Sequence, residues 1–230
     1  MYLLFILLFP LAIGSFLLLA KPKNAFVISL AGAIMEAIAV GYILYQSSQG
    51  NPTLAVSYPW ISEAELSFSL GVDGINGILI GLTGLLIPFI VASTANTDKA
   101  DNPIYQGLIL AMQTALLGSF LAKDAFLFYF FFEASLLPIY FLSAQFGGEN
   151  RIAITFKFFV YTLFGSLFLL IGLIYVYLRT PGTIGSSDID VLVETARSLP
   201  AASQNYLFLA FFIAFAIKMP IFPFHTWQPD

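Results

Sequence analysis

Two ionisable side chains, Glu133 and Lys218, fall deep within long apolar runs of this 230-residue sequence, and prolines follow each. An ionised group at the centre of a hydrocarbon layer costs at least ~2.5–3.5 kcal/mol, so such groups normally face a protein interior and mark an ion or ligand path. Glu133 lies in AFLFYFFFEASLLPIYFLSAQF, five residues before Pro138. Proline has no amide hydrogen and crowds the carbonyl four residues back, here that of Ala134. A carboxyl beside loosened backbone can hold water and pass protons. Lys218 lies in AFFIAFAIKMPIFPFHTW, with Pro220 and Pro223 close behind. Two prolines three apart break a helix. Interrupted helices in membranes are tolerated where freed carbonyls line a cavity, as in transporter ion sites. Burial favours a neutral amine and a nearby carboxylate favours the ammonium. A lysine held between the two gains and loses a proton as its partner moves. The plainer readings are a neutral inter-helix tie for Glu133 and a snorkelling side chain for Lys218.

Other candidates are weaker by residue logic alone. His225 is the only histidine and stands just past the second proline, beside Trp227 and Pro229. Its ordinary pKa suits proton exchange near neutrality, but an interfacial histidine bonded to backbone fits equally well. Lys157 opens an apolar run about one turn inside the interface, where snorkelling accounts for it. Glu36 also falls well within an apolar run, but it has no polar neighbour within a turn and no nearby proline, and it reads as a tie between helices or a contact with another subunit. Asp73 and Asp124 stand where apolar runs begin, so capping of helix N-termini is the simpler account. The aromatic run from Phe126 to Phe132 reads as lipid-facing or packing surface.

The elements that must position these groups are membrane spans. The sequence is 59% hydrophobic and 10% charged, with mean hydropathy +0.90. That apolar excess is too large for one soluble core and must face lipid. Runs near 20 apolar residues predict seven spans: 2–20, 25–45, 73–92, 104–122, 124–146, 156–178 and 205–224. Two longer connections, 46–72 and 179–204, carry turn formers at Asn51-Pro52, Tyr58-Pro59 and Pro181-Gly182, and a short surface helix is expected from Asp188 to Ser198. The first positive charges, Lys21 and Lys23, follow the first apolar run, which suits a retained helix with its N-terminus outside. In that orientation five basic residues lie inside and three outside. The net charge of −4 argues against nucleic acid. The absence of cysteine excludes iron–sulfur ligation, thiolate metal sites and disulfides in this chain.

Four stretches, GVDGINGILIGLTGLLIP at 71–88, KDAFLFYFFFEASLLPIYFLSAQFGG at 123–148, KFFVYTLFGS at 157–166 and AFAIKMPIFPFHTWQPD at 214–230, together resemble one family. It is that of the antiporter-like membrane subunits of respiratory complex I, nearest to the subunit M branch of bacterial NADH:quinone oxidoreductase (chain 4 in mitochondria). The first two spans match only in character, and Gln228 stands where the family usually has leucine. The resemblance implies that Glu133 and Lys218 are the family's fifth-helix glutamate and broken-seventh-helix lysine, the pair central to proton translocation, and that Lys157 is its sixth-helix lysine. The family pattern places no essential acid at Glu36.

The expected fold is an all-α polytopic bundle of about seven transmembrane helices, with the fifth kinked and the seventh discontinuous. It would form part of an inverted-repeat antiporter-like fold. Residues 1–103 would hold helices 1–3, and residues 104–230 helices 4–7 of an incomplete first repeat, the chain reading as truncated at 230. The expected role is proton translocation within a respiratory complex whose electron transfer occurs elsewhere, through Glu133, Lys218, Lys157 and His225. No cofactor or metal is expected in this chain, since it shows no phosphate loop or dinucleotide fingerprint. Expected partners are the bilayer and other membrane subunits, with quinone used by the complex but not bound here. The expected location is a bacterial inner membrane. Alternatives are a subunit of a sodium/proton antiporter or membrane-bound hydrogenase, a purely structural membrane scaffold, and, remotely, a seven-helix retinal protein. Against the last, the third span offers no counter-ion.

Overall fold

Apolar runs bounded by capping residues become helices, and the caps are in place. Asp73 accepts from the amides of Ile75 (2.9 Å) and Asn76 (2.8 Å), while the Asn76 side chain accepts from the Asp73 amide at 2.7 Å. Asn102 caps the next helix at the amides of Ile104 and Tyr105, with Pro103 in the first turn where a missing amide hydrogen costs nothing. Asp124 and Asp188 do the same for two more helices. Both capping assignments made from sequence, Asp73 and Asp124, match the geometry.

A computed structural model describes residues 2–50, 54–182 and 185–228. The Asn51-Pro52 turn and the Pro229-Asp230 end lie outside the described residues. In chain order the elements are α1 (Tyr2–Ala20), α2 (Ala25–Ser48), β1 (Ala55–Ile61), β2 (Leu66–Gly71), α3 (Gly74–Ala92), α4 (Pro103–Leu121), α5 (Ala125–Ala134), α6 (Leu136–Phe146), α7 (Arg151–Tyr177), α8 (Ile189–Ser198) and α9 (Ala201–Lys218). Among the described residues seven spans are long and apolar enough to cross a membrane, the fifth being α5 and α6 together. The chain is a multi-pass membrane protein.

Three features differ most from the sequence reading. α7 starts at Arg151 rather than near 156, because Asn150 takes up the left-handed turn (φ 58°) and RIAITF continues helically without a breaker. Lys157 therefore sits in the second turn of a longer helix. α9 runs from Ala201 to Lys218 rather than 205–224. Pro220 cannot donate to the Ala216 carbonyl, which is taken instead by the Ile221 amide at 2.9 Å in a turn. The connection 46–72 is not all irregular, and the fold is not purely helical. It holds an antiparallel hairpin with Val56 opposite Leu70 and Tyr58 opposite Phe68. Pro59, read as a turn former, lies inside β1, an edge strand with no second neighbour to require its amide.

α4 is the central helix, packed by α1, α2, α3, α5 and α6. Small residues permit the approach, as expected where lipid gives helices no hydrophobic drive to associate. A Cβ on Gly14 of α1 would lie 3.0 Å from the Gly107 carbonyl of α4, and one on Gly118 would meet the Phe131 ring of α5 at 2.3 Å. On α7, Cβ atoms at Gly165 and Gly172 would meet Ile217 at 3.0 Å and Phe211 at 2.4 Å of α9. These two glycines, two turns apart, set how closely α9 lies on α7. Gly165→Val pushes α9 outward through the Cβ-branched wall of Ile217, so cross-linking yield between cysteines at Ser166 and Ala214 should change while overall helicity persists. Unchanged yield would show that Gly165 does not set the spacing.

The α4–α5 connection is tied to the N-terminus of α3 by an ion pair between Lys123 Nζ and Asp73 at 2.6 Å, and to the hairpin by the Lys123 amide, which donates to the Ser69 carbonyl of β2 at 2.8 Å. The Lys123 ammonium, then the Asn76 amide, hold the Asp73 carboxyl below its ordinary range. A depressed carboxylate stabilises the fold above its unfolded pKa, and that contribution is lost as pH falls through the folded value. Both partners are more than a third exposed, so the effect is small. Acid loosening of the hairpin, followed by Trp60 fluorescence, should begin at higher pH in Lys123→Met. A coincident transition would separate this pair from acid stability.

Candidate functional site

Glu133 is the ninth residue of α5 and stands one residue from its end. The fifth span is interrupted at Ser135, between α5 and α6, three residues before Pro138. Loosening therefore falls a turn upstream of the proline, and the carbonyl put to use is not that of Ala134. The Phe132 carbonyl accepts from Ser135 Oγ at 2.7 Å and from Lys218 Nζ at 3.1 Å. Lys218 Nζ also lies 3.5 Å from the centroid of the Phe132 ring, a cation–π contact. The structure thus anchors the amine of α9 on the residue that immediately precedes Glu133.

The Glu133 carboxyl acts electrostatically on Lys218, and Ser166 of α7, whose hydroxyl donates to the Leu163 carbonyl at 2.9 Å, lies near it. Its Oε1 is buried without a hydrogen-bond partner. Buried carboxylate oxygens are rarely left so. Tyr129 stands one turn before Glu133 on the same face of α5 and lies near Ser166. Three helices therefore converge: α5 with Tyr129 and Glu133, α7 with Ser166, and α9 with Lys218. Gly165 allows Ile217 to seat deeply, which brings the next residue, Lys218, to the level of Ser166.

Sequence reasoning found Glu133 and Lys218 but missed Tyr129 and Ser166. Tyr129 was hidden in a run read as lipid-facing or packing surface. That run is mixed: Phe130 is 52% exposed while Leu127 and Phe131 are buried. The four-residue spacing of Tyr129 and Glu133 was the available signal.

The other two candidates stand apart. Lys157 is half-buried on α7, nine residues before Ser166. That is about 13.5 Å along the axis and roughly half a turn around it. His225 lies in the turns that follow α9, its ring 5.6 Å from that of Phe222 and its Nδ1 buried without a partner. Among the described contacts none joins it to Glu133 or Lys218. These turns fold back on the helix end: Trp227 Nε1 donates to the Ile217 carbonyl at 2.9 Å, and the Trp227 ring packs on Phe158 of α7.

Residues 122–230 match the protein family described as NADH:quinone oxidoreductase/Mrp antiporter, TM. The chain is 36% identical over 212 residues to NADH-quinone oxidoreductase subunit M of Rickettsia conorii, covering 91% of this chain and 42% of that protein. It is 36% identical over 193 residues to F(420)H(2) dehydrogenase subunit M of Methanosarcina mazei, covering 82% and 39%. A chain of respiratory complex I from Thermus thermophilus superposes with TM-score 0.83 at 28% identity, over 100% of this chain and 46% of that one. The chain spans less than half the length of these relatives. Residues 122–230, which carry Glu133, Ser166 and Lys218, match the NADH:quinone oxidoreductase/Mrp antiporter transmembrane family, and the bundle has the fold of an antiporter-like membrane subunit of complex I.

Proposed function

We propose that this chain carries part of a proton path across the membrane, as a segment of subunit M in an NADH:quinone oxidoreductase-type complex. The carrying observation is the Lys218 ammonium held on the Phe132 carbonyl, next to a carboxyl with an unpartnered oxygen. Glu133 takes up the proton, and Lys218 sets how tightly it is held. When the lysine is near, the carboxylate is favoured. When it withdraws, the carboxyl binds a proton. Moving one charge against 100 mV costs about 2.3 kcal/mol. A unit charge pair at 4 Å and an effective dielectric near 20 is worth about 4 kcal/mol, so moving Lys218 by a few ångström supplies energy of the needed size.

In this reading Lys157 and His225 extend the path on one side of the central pair, toward the start of α7 where Trp227 packs on Phe158 and Thr226 bonds Tyr161, at a distance that requires intermediate carriers. Neither a cofactor nor a metal takes part in this chain's chemistry. Electrons pass through other subunits, quinone is bound elsewhere, and neighbouring membrane subunits cover the exposed apolar faces. The setting is a bacterial inner membrane with the N-terminus outside, and residues 104–230 contribute to the first of two inverted repeats. Similarity to the F(420)H(2) dehydrogenase subunit favours a second reading, in which the same path serves a complex with a different electron donor.

The test is Lys218→Ala in the full-length subunit of an assembled complex reconstituted in vesicles. Protons moved per electron should fall, with assembly intact. An unaltered ratio would remove Lys218 from the path, and a ratio that follows sodium rather than protons would replace the coupling ion.

A further inference from the structure

Glu36 and Gln113 are both 0% exposed, and all four of their side-chain polar atoms lack a hydrogen-bond partner. They sit on different helices, yet three independent contacts place them at one level. Ser29 Oγ of α2 donates to Gln106 Oε1 of α4 at 3.0 Å. The Cβ position of Gly32 on α2 meets Ile13 of α1, and that of Gly14 on α1 meets Leu110 of α4. These close into a single register in which residue 29 of α2 faces 106 of α4. α2 and α4 run parallel, for their first residues lie together: the Phe26 amide donates to Asp101 beside the start of α4. Seven residues, two turns, carry Ser29 to Glu36 and Gln106 to Gln113, so both return to the same faces about 10.5 Å deeper. This register sets an enclosed carboxyl and an enclosed primary amide at one level of α2 and α4.

The charge surroundings define what Glu36 holds. α1, α3 and α4, which pack around it, carry no Asp, Glu, Lys, Arg or His within their bounds, and α2 carries no other. The remaining titratable groups on these helices are the phenols Tyr2, Tyr42, Tyr45 and Tyr105, all nearer the helix ends. A bare carboxylate would have no cation to offset it, and such a group neutralises instead. Two carboxyl oxygens and one amide oxygen are too few for a hard metal cation, which takes six or more oxygens. A proton needs one acceptor. A carboxylic acid can donate an O–H toward an amide oxygen and accept from an amide N–H, here through enclosed water, since the two side chains make no direct hydrogen bond. That arrangement satisfies the orphaned atoms.

We propose that Glu36 and Gln113 form a second proton-binding site, enclosed between α2 and α4. It is separate from Glu133 and Lys218 and independent of whether that pair pumps. Its proton is held, clasping the two helices.

The experiment is infrared difference spectroscopy of the full-length protein in lipid, with Glu36→Gln and Gln113→Leu as variants. Glu36→Gln keeps shape and can pair amide to amide, so it folds. The expected result is a protonated-carboxyl C=O band at neutral pH that is lost in Glu36→Gln and moves to higher frequency in Gln113→Leu. A thermal cycle adds a second readout on variants that fold: Gln113→Leu and Glu36→Leu each lower Tm, and the double variant recovers most of the loss, because removing both polar partners leaves neither orphaned. A carboxylate band at neutral pH, a protonated band indifferent to Gln113, or a band that sodium but not choline abolishes at constant ionic strength would overturn the proposal.

Discussion

Glu133→Gln in the full-length subunit of an assembled complex should cut proton delivery on the order of 100-fold, within the range for removing a positioned acid–base group. Glutamine keeps the volume and one carbonyl oxygen, so the packing around this position is kept. Only proton exchange is removed. The expected signature is therefore a complex of normal abundance with a lowered proton-to-electron ratio. Glu133→Asp shortens the side chain by one methylene and should fall between the two. Tyr129→Phe deletes a hydroxyl but not the carboxyl, and should shift the pH profile of pumping more than its maximum. If Glu133→Gln pumps normally, the carboxyl is a tie between helices, and the plainer reading of a buried acid stands.

The seven spans were legible because each apolar run is near membrane length and two caps are written in the sequence as Asp73 and Asp124, though the third, Asn102, was not read as one. The surface helix was equally legible: Asp188 caps it and Leu192 and Thr195 turn inward. The hairpin was not. Its period-two pattern covers only a few residues on each strand, and Pro59 reads as punctuation unless one knows the strand is an edge. Glu133 and Lys218 announce themselves by the cost of placing charge in lipid. Their environment does not, because azimuth and depth are fixed by helix contacts at Gly165 and Gly118. Apolar periodicity says which helix a residue is on and nothing about which residue of another helix faces it. Ser166 and Gln113, uncharged polar residues in apolar helices, acquire meaning only once that register is known.

Asp124→Ala should be the most damaging single substitution outside the proton path. Its carboxylate is fully buried and gathers five donors: the amides of Phe126 and Leu127 at 2.9 Å each, the Ser67 amide at 3.0 Å, the Ser67 hydroxyl, and a close contact from the Ser187 hydroxyl. One side chain therefore caps α5, holds β2 of the hairpin and fixes the segment that leads into α8. Capping alone, the role its position announced, is worth roughly 1 kcal/mol. Each buried donor left orphaned adds ~1–3 kcal/mol, so the loss approaches a large share of the ~5–15 kcal/mol by which a domain is stable. The damage should be regional: α1 to α4 keep their own contacts, whereas the hairpin and the stretch from Gly185 to Ser198 lose their common anchor. Limited proteolysis should then cut at 54–71 and 185–188 in Asp124→Ala under conditions where the parent is resistant. Asp124→Asn retains one acceptor for the α5 amides but turns an NH2 toward donors, so cleavage there should be intermediate. Protection equal to the parent in Asp124→Ala would mean that the strand pairing and the Tyr177 hydroxyl on the Ala64 carbonyl (2.7 Å) hold this face without it.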